Sequence, residues 1–75
     1  MTSVEPGIYR HFKGNLYRVI GMVKHSETLE DLVLYQALYG EMGFWVRPAS
    51  MFLEIVEKDG KTFPRFTLIE KEMEE

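Results

Sequence analysis

The chain has no cysteine, which excludes disulfides, thiolate metal sites and a cysteine nucleophile. It has no apolar run near the ~20 residues a membrane-spanning helix requires. Residues Met1-Thr2-Ser3-Val4-Glu5-Pro6 carry no basic stretch and no apolar stretch behind it, so no secretory signal is expected. The expected setting is cytoplasmic. There is no surplus of positive charge either, since nine Lys and Arg stand against twelve Asp and Glu, for a net charge of −3. The last six residues, with four Glu and one Lys, account for that −3, and residues 1–69 are near neutral. Nucleic-acid binders usually show a basic stripe, so nucleic acid is not the expected partner. There is no GxSxG elbow and no glycine-rich phosphate loop, because the six glycines are scattered among turns. Ser26 follows His25 directly, and adjacent residues in an extended chain point apart. An enzyme is therefore the weaker class.

What is present suits a packed globule. Apolar residues make up 45% of the chain and aromatic residues 13%. Seventy-five residues form one domain, with an ordered core expected over about residues 7–69 and a charged tail over 70–75, frayed or disordered. A core of this size rarely supplies more than ~3–5 kcal/mol, so small cysteine-free domains often gain stability from a partner subunit.

Turn signals recur at short intervals. Lys13-Gly14-Asn15, Gly40-Glu41-Met42-Gly43 and Lys58-Asp59-Gly60-Lys61 separate segments rich in Val, Ile, Tyr, Phe and Trp. Glycine permits the positive φ of tight hairpins, and Asp-Gly is a strong two-residue hairpin signal. These segments read as about five antiparallel strands. His25–Asp31 is polar and is expected to hold one helical turn. Pro48–Phe52 is expected to turn, with Met51 and Phe52 plugging the core. A flat sheet of this size would expose a face and two long edges, and curling removes both problems. The expected fold class is mainly β, a small SH3-like barrel with a short helical turn. An open sheet closed by dimerisation is the alternative.

Alternation along the strands separates inside from outside. Tyr17, Val19, Gly21 and Val23 alternate with a set containing Arg18 and Lys24, and Val33, Tyr35, Ala37 and Tyr39 oppose a set containing Gln36. Phe44 and Val46 alternate with Trp45 and Arg47. Charged side chains are rarely buried unpaired, so the first set in each case is expected inside. The outer sets still carry Leu16, Ile20, Met22, Leu32, Leu34, Leu38 and Trp45, more apolar surface than solvation alone calls for. A homodimer is one expectation from this surplus.

The segments Tyr9-Arg10-His11-Phe12-Lys13-Gly14, Lys24-His25-Ser26-Glu27-Thr28, Leu38-Tyr39-Gly40, Trp45-Val46-Arg47-Pro48 and Met51-Phe52 together resemble the bacterial domain of unknown function numbered 1653. The similarity runs from about Gly7 to Ile69. It implies a compact, mostly β, bacterial cytoplasmic domain, and it implies no activity.

The candidate binding residues are His11, His25, Glu27, Thr28, Trp45 and Arg47. His25, Glu27 and Thr28 lie in a polar loop long enough to hold a ligand, where they could act as base, orienting carboxylate and hydroxyl donor. The plainer alternative is a loop whose side chains satisfy their own backbone. Trp45 and Arg47 share a strand face, and an exposed indole beside a guanidinium suits an anionic or planar ligand. The plainer alternative there is a Trp covered by an arginine stem. Two histidines with Glu27 could supply three zinc ligands, but no HxH or HExxH spacing exists, so neither a metal nor a cofactor is expected. The preferred reading is a non-enzymatic binding module for a small anion, a nucleotide or a peptide. The alternatives are a small hydrolase or transferase using His25 and Glu27, and an oligomerisation or protein-interaction domain.

Overall fold

The structure, a computed structural model, describes residues 4–71. Seven strands and one short helix follow in the order β1 (Gly7–His11), β2 (Leu16–Lys24), β3 (Asp31–Ala37), β4 (Phe44–Pro48), α1 (Ala49–Phe52), β5 (Ile55–Lys58), β6 (Lys61–Pro64) and β7 (Phe66–Lys71). Five of the strands form one antiparallel sheet in the order β4-β3-β2-β1-β7, and β5 with β6 forms a separate two-stranded sheet. The large sheet ends at β4 on one side and β7 on the other. It is therefore not a closed barrel.

Seven strands form where about five were expected: the turn signals bound six strand segments, and the last of them, residues 62–69, is broken in two. Pro64 ends β6, since it has no N–H to donate. Arg65 then leaves both ladders, its N–H donating to the Glu54 carbonyl over 2.9 Å. The chain resumes as β7 beside β1 and reaches Lys71, two residues into the expected tail, whereas residues 72–75 lie outside those described. Gly7 sits where β1 meets β7, with φ at 153° and no room for a Cβ against the Glu70 carbonyl.

One face of the sheet carries Tyr9, Val19, Val33, Tyr35 and, from β7, Phe66, and α1 covers it with Ala49 and Phe52. The Phe52 and Phe66 rings stack with centroids 4.0 Å apart and planes within 2°. Tyr9 and Tyr35 meet Phe52 edge-on. Met51, expected to plug the core beside Phe52, is exposed, because one four-residue turn of helix directs only Ala49 and Phe52 inward.

All three alternations differ from expectation in part: beside β3, Tyr39 of the expected inner set lies past the strand end and is exposed, and Leu32 of the outer set is buried. A bulge between Val19 and Gly21 shifts the register of β2. Met22 then pairs with the buried Val33 and packs on the core, whereas Val23 turns outward. In β4 the order is inverted. Trp45 pairs with Tyr35 and Arg47 with Val33, so both share the inner face, and Phe44 and Val46 point away from it. Phe44 is 61% exposed and Val46 54%. The charge on Arg47 does not keep it outside because β4 is an edge strand. Its aliphatic stem lies inward while the guanidinium stays at the rim, where Nε donates to the Tyr35 hydroxyl in a long contact of 3.4 Å.

The His25–Asp31 segment holds a single uncontinued helical turn, as expected, which ends at Leu29. The Leu29 N–H donates to the His25 carbonyl and the His25 N–H to the Glu30 carbonyl, both at 2.9 Å. Leu29 takes a φ of 63° there, outside the right-handed helical region.

Candidate functional site

The turn between β5 and β6 has two central residues, Asp59 at φ 54° and Gly60 at φ 75°. Two consecutive positive φ values mark the type I′ hairpin turn, which Asp-Gly favours. Its flanking residues, Lys58 and Lys61, are cross-strand partners. Their side chains therefore emerge on one face as neighbours. Like charges in that position are destabilising by several tenths of a kcal/mol, roughly 0.2–1.

Across from the hairpin stand β1 and β7, where Arg10 pairs with Thr67. Between these parts lies a cleft of about 470 Å³ lined by Arg10, His11, Phe12, Lys58, Asp59, Lys61, Phe63, Pro64 and Thr67. Arg10, Lys58 and Lys61 supply three cations there against the one carboxylate of Asp59. The rest of the chain is acidic by comparison, given its net charge of −3. The hairpin is tied to the sheet through Arg65. Its guanidinium meets the Glu54 carboxylate at 2.7 Å, and its carbonyl accepts the Phe12 N–H at 2.9 Å.

His11 is half-buried at the end of β1, edge-on to Phe66 at 5.0 Å between centroids. Its Nδ1 accepts the Lys13 N–H at 3.1 Å, which leaves the proton of the neutral ring on Nε2. Burial, and then the charges of Arg65, Arg47 and Lys13, lower the His11 pKa from its ordinary 6.5. His11 is thus a neutral donor at pH 7.

The expected site residues fall into three places. His11 lines the cleft. His25, Glu27 and Thr28 occupy the β2–β3 turn at the other end of β2, about 25 Å of strand away at ~3.3 Å per residue. There the His25 Nδ1 accepts the Glu27 and Thr28 N–H groups at 3.1 and 3.3 Å, and the Thr28 hydroxyl accepts the Glu30 N–H at 3.1 Å. Glu27 thus meets His25 through its backbone, not its carboxylate. Trp45 and Arg47 stand on β4, outside the cleft lining, with Trp45 59% exposed. Beside them on the inner face lies an aromatic group in which Tyr17 meets Tyr35 and Tyr39 edge-on at 5.4 and 5.6 Å.

Among the described residues no three His, Cys, Asp or Glu side chains gather as a metal site would require. Among them, too, no helix is long and apolar enough to cross a membrane. Of the cleft residues only His11 was an expected site residue; Arg10, Phe12, Lys58, Asp59, Lys61, Phe63, Pro64 and Thr67 were not. One signal for them was available. A two-residue Asp-Gly turn sets its flanking residues opposite each other, so Lys-Asp-Gly-Lys already implied a lysine pair.

A family model described as a protein of unknown function, DUF1653, matches residues 7–68. The crystal structure of a DUF1653 protein from Bordetella bronchiseptica is 32% identical in sequence, with a TM-score of 0.84, and the match covers 96% of this chain and 95% of that one. No curated protein matches the chain.

Proposed function

Since the chain belongs to the DUF1653 family, whose description names no activity, we propose from the site itself that it is a non-enzymatic binding module for a small anionic ligand. The observation that carries this is the Lys58–Lys61 pair facing Arg10 across the cleft. Two lysines held side by side by a rigid turn repel each other until an anion lies between them. The half-open curl of the sheet, with α1 folded against it, is read as SH3-like. A bacterial cytoplasm is the proposed setting, supported by the cysteine-free sequence and the bacterial relative. Titration with pyrophosphate, followed by backbone amide resonances, tests the reading. Saturable shifts should gather at Arg10, His11, Lys58 and Lys61. Lys61→Ala should weaken binding by about tenfold, as loss of a hydrogen bond to a charged group does, without loss of thermal stability, since the lysine repulsion goes with it. Shifts spread over all exposed lysines with no saturation would end the proposal.

A second reading is self-association, favoured by one observation. The edge strand β4 exposes Phe44, Trp45 and Val46 in succession, shows no bulge in its register, and keeps its one charge and its proline, Arg47 and Pro48, at one end. Natural edges are commonly protected by those devices.

A further inference from the structure

We infer that the ligand of this cleft is a phosphate ester bearing a flat ring, in class a nucleoside monophosphate. The inference rests on the anion-site reading above and adds the ring. Size is the first ground. Inorganic phosphate displaces roughly three waters, about 100 Å³ at ~30 Å³ each, and the cleft holds about 470 Å³. A bare anion leaves most of it empty.

The remaining wall is the second ground. Phe12 comes from the turn after β1 and Phe63 from β6, so apolar rings border the cleft from both of its sides, with Pro64 next to Phe63. Phe63 is 38% exposed although it sits in a strand. A phenyl ring fixed in a sheet, open to solvent and close to paired cations suits stacking of a base, which needs no particular sequence of donors.

The third ground is the mixture of polar groups. Thr67 and the neutral His11 are uncharged donors, better matched to sugar hydroxyls than to a phosphate. Asp59 would repel a simple anion. A nucleotide, however, also brings donors, from its sugar or an exocyclic amine, and a carboxylate accepts those. Arg10, Lys58 and Lys61 take the phosphate.

The test is calorimetric titration of the full chain with AMP, ribose 5-phosphate and inorganic phosphate. AMP should bind about tenfold more tightly than ribose 5-phosphate, within the range that base stacking on an aromatic ring provides. Phe63→Leu keeps an apolar side chain and removes the ring. It should bring AMP to the level of ribose 5-phosphate and leave ribose 5-phosphate unchanged. Phe12→Leu tests the opposite wall, and it carries the test alone if Phe63→Leu does not fold. Equal affinity for AMP and ribose 5-phosphate overturns the ring and leaves the anion site standing. A preference for AMP that survives both variants also overturns it. Binding of none of the three overturns the anion site as well.

Discussion

The hydroxyl oxygens of Tyr17 and Tyr39 lie 2.8 Å apart, 22 residues distant in sequence. The bond joins β2 to the turn after β3 at the open end of the inner face. Burial first, and then the bond to Tyr39, push the Tyr17 phenol from 10.0 up to about 12. The folded state therefore holds this proton more firmly than the unfolded chain does. Its stabilising effect is complete below pH 10 and is lost as pH rises toward about 12. Tyr39→Phe should move the Tyr17 midpoint down while leaving it above 10, since burial remains. Ring-carbon chemical shifts followed against pH read this directly. An unchanged midpoint in Tyr39→Phe would show that the hydroxyl pair contributes nothing.

Phe52 holds the core from the helix side. It is 1% exposed and stacked on Phe66. Phe52→Ala should cost about 3–5 kcal/mol, as aromatic truncation in a core does. That is comparable with the whole stability of a domain this small. Urea denaturation of Phe52→Ala should show a largely unfolded chain at 25 °C, whereas Phe52→Leu should fold with a lower midpoint. A native-like midpoint for Phe52→Ala would refute the assignment of this stack as the centre of the core.

Much of the frame could be read from residues alone, where local chemistry decides. Asp59-Gly60 makes its own turn, and Val19, Val33 and Tyr35 are buried as their alternation required. The inversion of β4 was not legible, because it depends on β4 being an edge. There an arginine can lie along the core face and still reach water. The bulge near Ile20 was hidden for a related reason, since its register is set by β3 and not by β2. The cleft was the least legible feature. Arg10 and Lys61 are separated by fifty residues, and they meet only because Pro64 and Arg65 send the chain from one sheet to the other.

Binding should couple to protons at His11. Its pKa is held below 6.5 by burial and by neighbouring cations. His11 lines the cleft, so an anion bound there favours the charged imidazole and raises its pKa. Complex formation should take up protons as pH falls below 6.5, and affinity should rise in the same direction. Calorimetry of pyrophosphate binding in buffers of different ionisation enthalpy measures the uptake. The wild type should take up more protons than His11→Gln, whose remaining exchange comes from the titration of pyrophosphate itself. Equal exchange in the two proteins would show that His11 is not coupled to binding.

The β4 edge should make the chain dimerise at micromolar concentration, as read by sedimentation. Val46→Lys places a charge on the exposed side of that edge. It should restore the monomer without changing the far-ultraviolet spectrum, since Val46 lies outside the core. A wild-type protein that is monomeric at every concentration would remove β4 as a contact surface.

The type I′ turn also sets the tempo of the site. With two residues at its tip, the hairpin has no loop to fold over an incoming ligand, and the separation of Lys58 from Lys61 is fixed before anything arrives. Encounter and capture then become one event. The observed rate should climb linearly with ligand concentration in a single exponential, without the plateau that a slow closing step imposes.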